Sequence, residues 1–113
     1  YEITPQCADT INKCIAKKGK IIAVGTSTTR AIESSVTTDN FVKPAKGWTD
    51  KFIFPPYNFK VVNHLVTNFH MPSSTLLMLV SAFAERDFVM KAYKKAIKEN
   101  FRFYSYGDAM FVI

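Results

Sequence analysis

The stretch that decides the fold is Lys20-Ile-Ile-Ala-Val-Gly-Thr-Ser-Thr28, an apolar run that ends in a glycine and three hydroxyl residues. The four consecutive apolar residues 21–24 are typical of a buried strand in a parallel sheet. The residues after them predict a turn at 25–27 and a helix over about 28–35. In that helix, Ala31, Ile32 and Ser35 are expected to face inward.

A second helix is predicted upstream of this strand. Thr4 is placed to cap it and Pro5 to occupy its first position, and Gly19 is expected to end it. Its predicted buried stripe consists of Cys7, Ile11, Cys14 and Ile15. The order helix–strand–helix indicates an α/β domain with a parallel or mixed sheet and flanking helices, and 113 residues suit a single domain.

The rest of the chain continues this alternation. Residues 36–47 are polar and poorly periodic, and predict a mobile loop. Apolar segments at 52–54 and 59–62 flank Pro55-Pro56, and a strand is predicted at 65–69. Further elements are expected as follows: a helix capped by Pro72-Ser73-Ser74 and running to about 84, a helix over 88–100 with Asp87 as its N-cap, and strands at 101–104 and 109–113. The last helix has a predicted buried stripe of Val89, Ala92, Tyr93, Ala96 and Ile97.

The charge balance favours a polyanionic partner. The chain carries a formal net charge of +6, from 15 basic and 9 acidic residues. Four lysines, Lys91, Lys94, Lys95 and Lys98, share one face of the last predicted helix. An ordinary solvated face explains this pattern more simply than a nucleic-acid contact, but both interpretations stand.

Several classes of protein are not favoured. Cys7 and Cys14 lie about 10 Å apart on one helix, too far for a disulfide, and are interpreted as small buried residues in a reducing cytosol. His64 and His70 do not have the spacing of a metal site, so no metal is expected. The longest apolar run is too short to span a bilayer. The N-terminal residues lack the features of a signal peptide. The missing initiator methionine suggests a fragment, although tag removal or processing gives the same sequence start.

Two polar clusters follow predicted strands, where α/β folds tend to bind ligands. In the first, Gly25 and Thr26 precede Arg30 at a helix start, which suits an anion or nucleotide; capping by Thr26 or Ser27 explains it equally well. In the second, Asn68 shares a strand face with His70, opposite Phe69. The unperturbed pKa of a histidine suits proton transfer at neutral pH, which makes His70 a candidate, although a structural histidine is as reasonable.

Two further segments offer polar and aromatic groups. Trp48, Thr49 and Asp50 combine a ring, a hydroxyl and a carboxylate; the ring suits stacking on a purine, although anchoring of the loop to the core is slightly favoured. Near the C-terminus, Tyr106 and Asp108 lie in a predicted turn. Asp108 is a candidate base or ribose ligand, or simply a turn residue.

Five ordered blocks now identify a family resemblance. They are Gly-Lys-Ile-Ile-Ala-Val-Gly-Thr-Ser-Thr-Thr-Arg-Ala-Ile-Glu-Ser from Gly19, Gly-Trp-Thr-Asp from Gly47, Thr-Asn-Phe-His-Met-Pro from Thr67, Ser-Thr-Leu-Leu-Met-Leu-Val-Ser-Ala-Phe from Ser74, and Tyr-Ser-Tyr-Gly-Asp-Ala-Met from Tyr104. Together they resemble the C-terminal region of the S-adenosylmethionine:tRNA ribosyltransferase-isomerases of queuosine biosynthesis. The family differs at two positions: it usually has Thr where Ser27 stands and a basic residue where Ser73 stands.

The resemblance implies a two-domain enzyme whose β-barrel domain lies outside this chain. It implies transfer of the ribosyl part of S-adenosylmethionine to a 7-aminomethyl-7-deazaguanine base of tRNA. The ribosyl unit is isomerised to an epoxycyclopentanediol, giving epoxyqueuosine, and adenine and methionine are lost. S-adenosylmethionine is then a consumed co-substrate, no separate cofactor is needed, and tRNA is the partner. We expect a cytoplasmic protein, with no membrane association, that is a monomer at full length.

The resemblance also gives the polar residues expected roles. The candidate catalytic residues are His70 for proton transfer, with Asp50 or Asp108 holding ribose hydroxyls or the sulfonium side. Gly25, Thr26 and Arg30 would bind the methionine carboxylate or a tRNA phosphate. The remaining candidate substrate-binding residues are Trp48, Thr49, Asn68 and Tyr106, with Trp48 or Tyr106 stacking on a base.

Two other interpretations remain open at this point. The chain can be a tRNA-binding module without catalysis, which its charge and lysine face favour. It can also be a structural fragment whose apolar surfaces contact other parts of a larger protein. The 113-residue piece alone is expected to be inactive, because a site between two domains would be half absent.

Overall fold

The computed structural model describes residues 1–51, 53, 57–69, 75–101 and 108–113. Within them the chain alternates helices and strands, and the predicted α/β class is confirmed. The helices are α1 (Pro5–Ala16), α2 (Thr26–Ser34), α3 (Thr75–Phe83) and α4 (Arg86–Lys98); the strands are β1 (Glu2–Ile3), β2 (Ile22–Val24), β3 (Ala45–Lys46), β4 (His64–Asn68) and β5 (Ala109–Val112).

A three-stranded mixed sheet organises the fold, with β4 between β2 and β5. Strands β2 and β4 are parallel, with Val24 opposite Val66, and α2 lies in the connection between them. Strand β5 runs antiparallel to β4 and places Ala109 opposite Asn68. The carboxyl ends of β2 and β4 therefore meet the start of β5 at one end of the sheet. A separate pair joins β1 to β3 in antiparallel orientation.

The two faces of this sheet differ sharply in burial. On the closed face, Ala23, Leu65 and Thr67 are 1%, 0% and 5% exposed. On the open face, Ile22, Val24 and Phe111 are 51%, 68% and 51% exposed. The apolar run 21–24 predicts a strand buried on both sides, and that prediction is wrong for this chain because nothing in the described residues covers the second side of β2.

Two hydrophobic clusters cover the closed face. The first is built from β4, α3 and α4, and its most buried members include Leu65, Leu79, Val80 and Tyr93. The second is formed by β1, α1, β2 and α2 around Ala23 and Ile32. Phe59 and Phe83, whose rings stack at 3.8 Å between centroids, pack against both clusters. The two clusters thereby form one continuous layer behind the sheet.

Helix α1 begins as its sequence predicts, but the left-handed residue at its end is Lys18 and not the predicted Gly19. Thr4 accepts a hydrogen bond from the Cys7 amide at 3.1 Å. At the other end Lys18 takes a left-handed conformation with φ of 57°, and the Gly19 amide donates to the Cys14 carbonyl. This is a Schellman motif. A Cβ on Gly19 would lie 2.6 Å from Cys14 Sγ, so a larger residue here would force the Cys14 side chain to move.

The cysteines are less buried than their spacing predicts. Cys7 is exposed and Cys14 half-buried, and both are free thiols. Ala8 is instead the buried residue of α1, and Ile11 and Ile15 of the predicted stripe are half-buried and pack against the second cluster.

Helices α2 and α4 also depart from their predicted limits. Helix α2 starts at Thr26, two residues early, with Gly25 as its N-cap. Helix α4 has Glu85, not Asp87, as its N-cap, and Asp87 lies in its first turn. Ala92 is exposed and Ile97 is 59% exposed, so the predicted buried stripe narrows to Val89, Tyr93 and Ala96.

Ordered pairings fall within the segment 36–47, for which the sequence predicts a loop. Val36 and Val42 form an isolated antiparallel bridge, and Val42 is buried. The Asn12 side chain holds Val42 with two hydrogen bonds of 2.8 Å, one to its carbonyl and one from its amide. The predictions for 52 and 54–56, for the cap at 72–74 and for 102–104 lie outside the described residues.

Candidate functional site

A cleft of about 480 Å³ lies at the carboxyl ends of β2 and β4. Its walls come from the start of α2, the last residues of β4 and the start of β5. The lining residues are Val24, Gly25, Thr26, Ser27, Thr28, Val66, Thr67, Asn68 and Ala109. Val24, Val66, Asn68 and Ala109 belong to the open face of the sheet, so the cleft opens on the side that the helices leave uncovered.

Gly25 shapes the α2 side of this cleft. It has φ of 97°, in the left-handed region that favours glycine, while its amide donates to the Val66 carbonyl at 2.8 Å and extends the parallel ladder. No side chain caps the helix, so the interpretation of Thr26 or Ser27 as a capping residue is wrong. The first amides of α2 and the exposed hydroxyls of Ser27 and Thr28 are therefore available to a ligand, and the helix dipole favours an anion there.

Strand β4 supplies the opposite wall. Its burial alternates, with Thr67 and Phe69 turned inward and Asn68 turned to the cleft side. The predicted alternation of Asn68 and Phe69 is confirmed. Asp108 directly precedes Ala109, which pairs with Asn68, so Asp108 lies at the same end of the sheet. The amide of Asn68 can both donate and accept, which suits orientation of a polar substrate.

Arg30 lies one turn beyond Thr26 on α2. Its side chain is half-buried, and its buried Nε has no hydrogen-bond partner within the described part of the chain. Buried guanidinium N–H groups normally have an acceptor, because leaving a buried donor unsatisfied costs about 1–3 kcal/mol. Arg30 does not line the cleft itself, but it is the one basic residue of α2.

The segment 48–50 lies elsewhere. The Thr49 hydroxyl is 2.8 Å from that of Ser34, the last residue of α2, and accepts from the Lys51 amide. Eight residues of helix, about 12 Å, separate Ser34 from Thr26. The structure therefore does not bring Thr49 to the strand-end cleft. Asp50 is exposed, and Trp48 is 100% exposed, so the interpretation of Trp48 as an anchor to the core is wrong.

A buried carboxylate, Glu33, fixes the approach to β4. It is 4% exposed and accepts hydrogen bonds from the amides of Lys60, Val61 and Val62 and from the Tyr57 hydroxyl. Burial, with the charge and hydrogen bond of Glu33, raises the pKa of the Tyr57 phenol. These four hydrogen bonds, called the Glu33 clamp below, link α2 to the segment that leads into β4. They therefore fix the position of α2 relative to β4, and these two elements form the walls of the cleft.

His70 and Tyr106 lie outside the described residues. Sequence reasoning did not single out Val66, Ala109 or Glu33. Val66 and Ala109 reach the cleft through the pairing of β4 with β2 and β5. No local sequence pattern predicts which strands pair. Glu33 had a usable signal, since it follows the inward-facing Ile32 on a helix. Among the described residues, no group of three or more His, Cys, Asp and Glu side chains is placed to hold a metal ion, and none of the helices is long and apolar enough to cross a membrane.

Comparisons with known proteins agree with this architecture. The crystal structure of S-adenosylmethionine tRNA ribosyltransferase from Thermotoga maritima is 44% identical to this chain and superimposes with a TM-score of 0.90, covering 100% of this chain and 40% of that one. Among curated relatives, S-adenosylmethionine:tRNA ribosyltransferase-isomerases of Chloroherpeton thalassium and Natranaerobius thermophilus are 55% and 53% identical, each over 99% of this chain.

This chain spans 33% of the length of those two relatives. The model of a family described as queuosine biosynthesis protein matches residues 1–112. With nearly the whole chain matched, and with its fold shared with the Thermotoga maritima structure, this chain belongs to the queuosine biosynthesis protein family.

Proposed function

We propose that this chain is the part of an S-adenosylmethionine:tRNA ribosyltransferase-isomerase that binds S-adenosylmethionine at the strand-end cleft. The full-length protein, meaning the polypeptide of family length that contains residues 1–113, would move the ribosyl unit onto a 7-aminomethyl-7-deazaguanine base of tRNA. Epoxyqueuosine forms, and adenine and methionine leave. We further propose that it works in the cytoplasm as a monomer.

The observation that carries this proposal is the pairing of an uncapped helix start with a polar strand end in one cleft. The first amides of α2 suit a carboxylate, and Asn68 on the facing wall suits a hydroxyl or amine. S-adenosylmethionine presents such groups at two separated points, the methionine carboxylate and the ribose hydroxyls. Relatives that are 55% and 53% identical carry the name of this activity.

The residues then have distinct roles. Gly25 and Thr26 hold the methionine carboxylate, and Arg30 adds positive charge one turn along α2. Asn68 orients the ribosyl unit, and Asp108, beside it across the β4–β5 pair, holds ribose hydroxyls or faces the sulfonium. Because the positive sulfur stabilises negative charge on the neighbouring carbon, a base of moderate strength suffices to remove that proton. His70, two positions after Asn68 in the sequence, is the candidate for that transfer.

Further contacts to the tRNA base or to ribose are proposed for Trp48, Thr49, Asp50 and Tyr106. The far end of α2, where Thr49 is bonded, is a separate surface from the cleft. We propose that Trp48, a fully exposed ring, stacks on a nucleotide base there.

Adenine release tests this function. The full-length protein is incubated with S-adenosylmethionine and with tRNA that carries the 7-aminomethyl-7-deazaguanine base, and both adenine and the modified nucleoside are quantified. We expect stoichiometric adenine and epoxyqueuosine, and no epoxyqueuosine from tRNA with unmodified guanine. The 113-residue chain alone should release none. Absence of both products from a folded full-length protein would refute the proposed function.

A further inference from the structure

The exposed face of α4 carries four lysines, and two carboxylates, Asp87 and Glu99, lie one turn from Lys91 and Lys95. Lys91, Lys94, Lys95 and Lys98 are all exposed, and none pairs with a carboxylate within the described residues, where the ion pair found is Asp9–Lys13 at 3.0 Å on α1. Like charges three and four residues apart on a helix repel by a few tenths of a kcal/mol per pair. Asp87 and Glu99 offset part of this repulsion, and the face keeps a net positive charge that suits a partner of opposite charge.

An aromatic groove adjoins this lysine face. It has a volume of about 530 Å³ and is lined by Phe69, Ala92, Lys95, Ala96, Glu99 and Phe101. The Phe101 ring is 45% exposed and meets the buried Phe69 ring edge-on at 5.9 Å between centroids. Glu99 is the one acidic side chain among these lining residues. A flat, exposed ring beside a lysine is the combination that binds a nucleotide base and its phosphate together.

The backbone fixes the position of Phe101. Asn100 takes a left-handed conformation with φ of 60°, and the Phe101 amide donates to the Ala96 carbonyl. This Schellman ending of α4 places Phe101 against the last turn of the helix. The ring is thus presented by a rigid element, which reduces the entropy lost when a ligand orders it.

The groove also lies close to the strand-end cleft. Asn68 lines the cleft, and the next residue, Phe69, lines the groove. Because successive residues of a strand point to opposite sides, the two depressions lie on either side of the β4 carboxyl end. An RNA chain bound in the groove therefore reaches the cleft by passing around the β4 carboxyl end.

We propose that the lysine face of α4 and the Phe101 groove form a binding surface for the tRNA substrate, with the lysines along its sugar–phosphate backbone and one base against Phe101. This inference rests on the proposed function, and it names the surface that holds the second substrate. The positive net charge of the chain, +6, agrees with an anionic partner.

Salt dependence of tRNA binding tests this surface. In the full-length protein, Lys91, Lys94, Lys95 and Lys98 are changed together to Gln, and the tRNA Kd is measured from 50 to 300 mM KCl. Each phosphate contact contributes about 0.7–0.9 to the slope of log Kd against log salt. We expect the slope to fall by about 2–4 and tRNA binding at low salt to weaken at least about tenfold, with the S-adenosylmethionine Kd unchanged.

Two controls distinguish a specific effect of the α4 surface on tRNA binding from an effect of net charge and from a loss of folding. Replacing Lys13, Lys17, Lys20 and Lys43 by Gln removes the same charge elsewhere and should lower the slope by less than about 1. Replacing the four α4 lysines by Arg should preserve the slope. For the groove, we expect Phe101→Ala to weaken tRNA binding about 5- to 100-fold and Phe101→Tyr to restore it.

The outcomes distinguish this proposal from the one on which it rests. Suppose that the wild-type protein forms epoxyqueuosine and that the α4 glutamine variant has the wild-type slope of log Kd for tRNA against log salt. The proposed tRNA surface is then refuted, and the proposed function stands. If the α4 variant and its matched control lose equal slope, the effect is one of net charge and the surface is again wrong. A wild-type protein that binds tRNA but releases no adenine refutes the function alone.

Discussion

The two faces of the β2–β4–β5 sheet are built from the same short strands but have opposite surroundings. On the closed face, Leu65 is 0% exposed beneath α3 and α4; on the open face, Val24 is 68% exposed. The closed face carries stability, because burial of apolar area is the main favourable term in folding. The open face leads into the candidate cleft. The first hydrophobic cluster and the strand-end cleft therefore lie on opposite sides of three strands.

The largest expected effect is a difference in the free energy of unfolding between a variant on the closed face and a variant on the open face. In the 113-residue chain, Leu65→Ala should lower the free energy of unfolding by about 2–5 kcal/mol, because it leaves a cavity in the first cluster. Val24→Ala should lower it by less than about 0.5 kcal/mol, since the Val24 side chain is already mostly in water. Urea denaturation measures both. Equal losses for the two variants would break the comparison.

The next effect concerns the Glu33 clamp, which links α2 to the segment that leads into β4. Glu33→Gln replaces one carboxylate oxygen by an NH2 group, which cannot accept from the backbone amides that Glu33 holds. We expect a loss of about 1–3 kcal/mol in the free energy of unfolding. Glu2→Gln, on an exposed residue, is the matched control and should change it by less than about 0.5 kcal/mol. A Glu33 variant as stable as the control would show that the clamp is not stabilising.

The open face also predicts how the chain behaves in solution. Exposed contiguous apolar surface binds hydrophobic dyes and promotes association. We expect Val24→Glu with Phe111→Glu to reduce dye fluorescence about twofold or more and to suppress association of the chain at high concentration. Fluorescence titration and analytical ultracentrifugation measure these effects. Unchanged dye binding would place the apolar surface somewhere other than this face.

The smallest effect is a pH dependence that appears only in alkali. The pKa of Tyr57 is raised above its usual value of 10.0, so the folded state keeps a proton that the unfolded state loses. Stability contributed by this group is therefore full below pH 10 and is lost as the pH rises above it. Thermal melts of wild type and Tyr57→Phe between pH 9 and 11 should diverge above pH 10. Parallel curves would contradict the raised pKa.

The sequence predicts much of the fold because most of its signals are local. Thr4-Pro5 marks the start of α1, and the apolar run 21–24 marks β2. Burial on both sides of β2 was predicted wrongly, because an apolar strand has the same sequence whether or not a neighbour covers its second face. The start of α4 at Glu85 rather than Asp87 could not be predicted from the sequence either. Both residues are acidic, and the helix dipole favours an acidic residue at either position.

The candidate site is only partly readable from sequence. Gly25, Thr26 and Asn68 were found because they follow strands, and the structure brings them into one cleft. The family resemblance adds Thr49 to the candidate substrate-binding residues, yet its hydrogen bond with Ser34 holds it at the other end of α2. Ala109 enters through its pairing with Asn68, a contact between residues 41 positions apart whose register no local pattern specifies.

Calorimetric titration of S-adenosylmethionine into the full-length protein and its Asn68→Ala variant tests the central claim most directly. Loss of a buried hydrogen bond to the ligand costs about 1.5 kcal/mol, or about tenfold in Kd. We predict at least that weakening for Asn68→Ala, and none for Asn58→Ala, an exposed asparagine away from the cleft. Tight binding to the wild type with the same Kd in both variants would contradict the assignment of the strand-end cleft as the S-adenosylmethionine site.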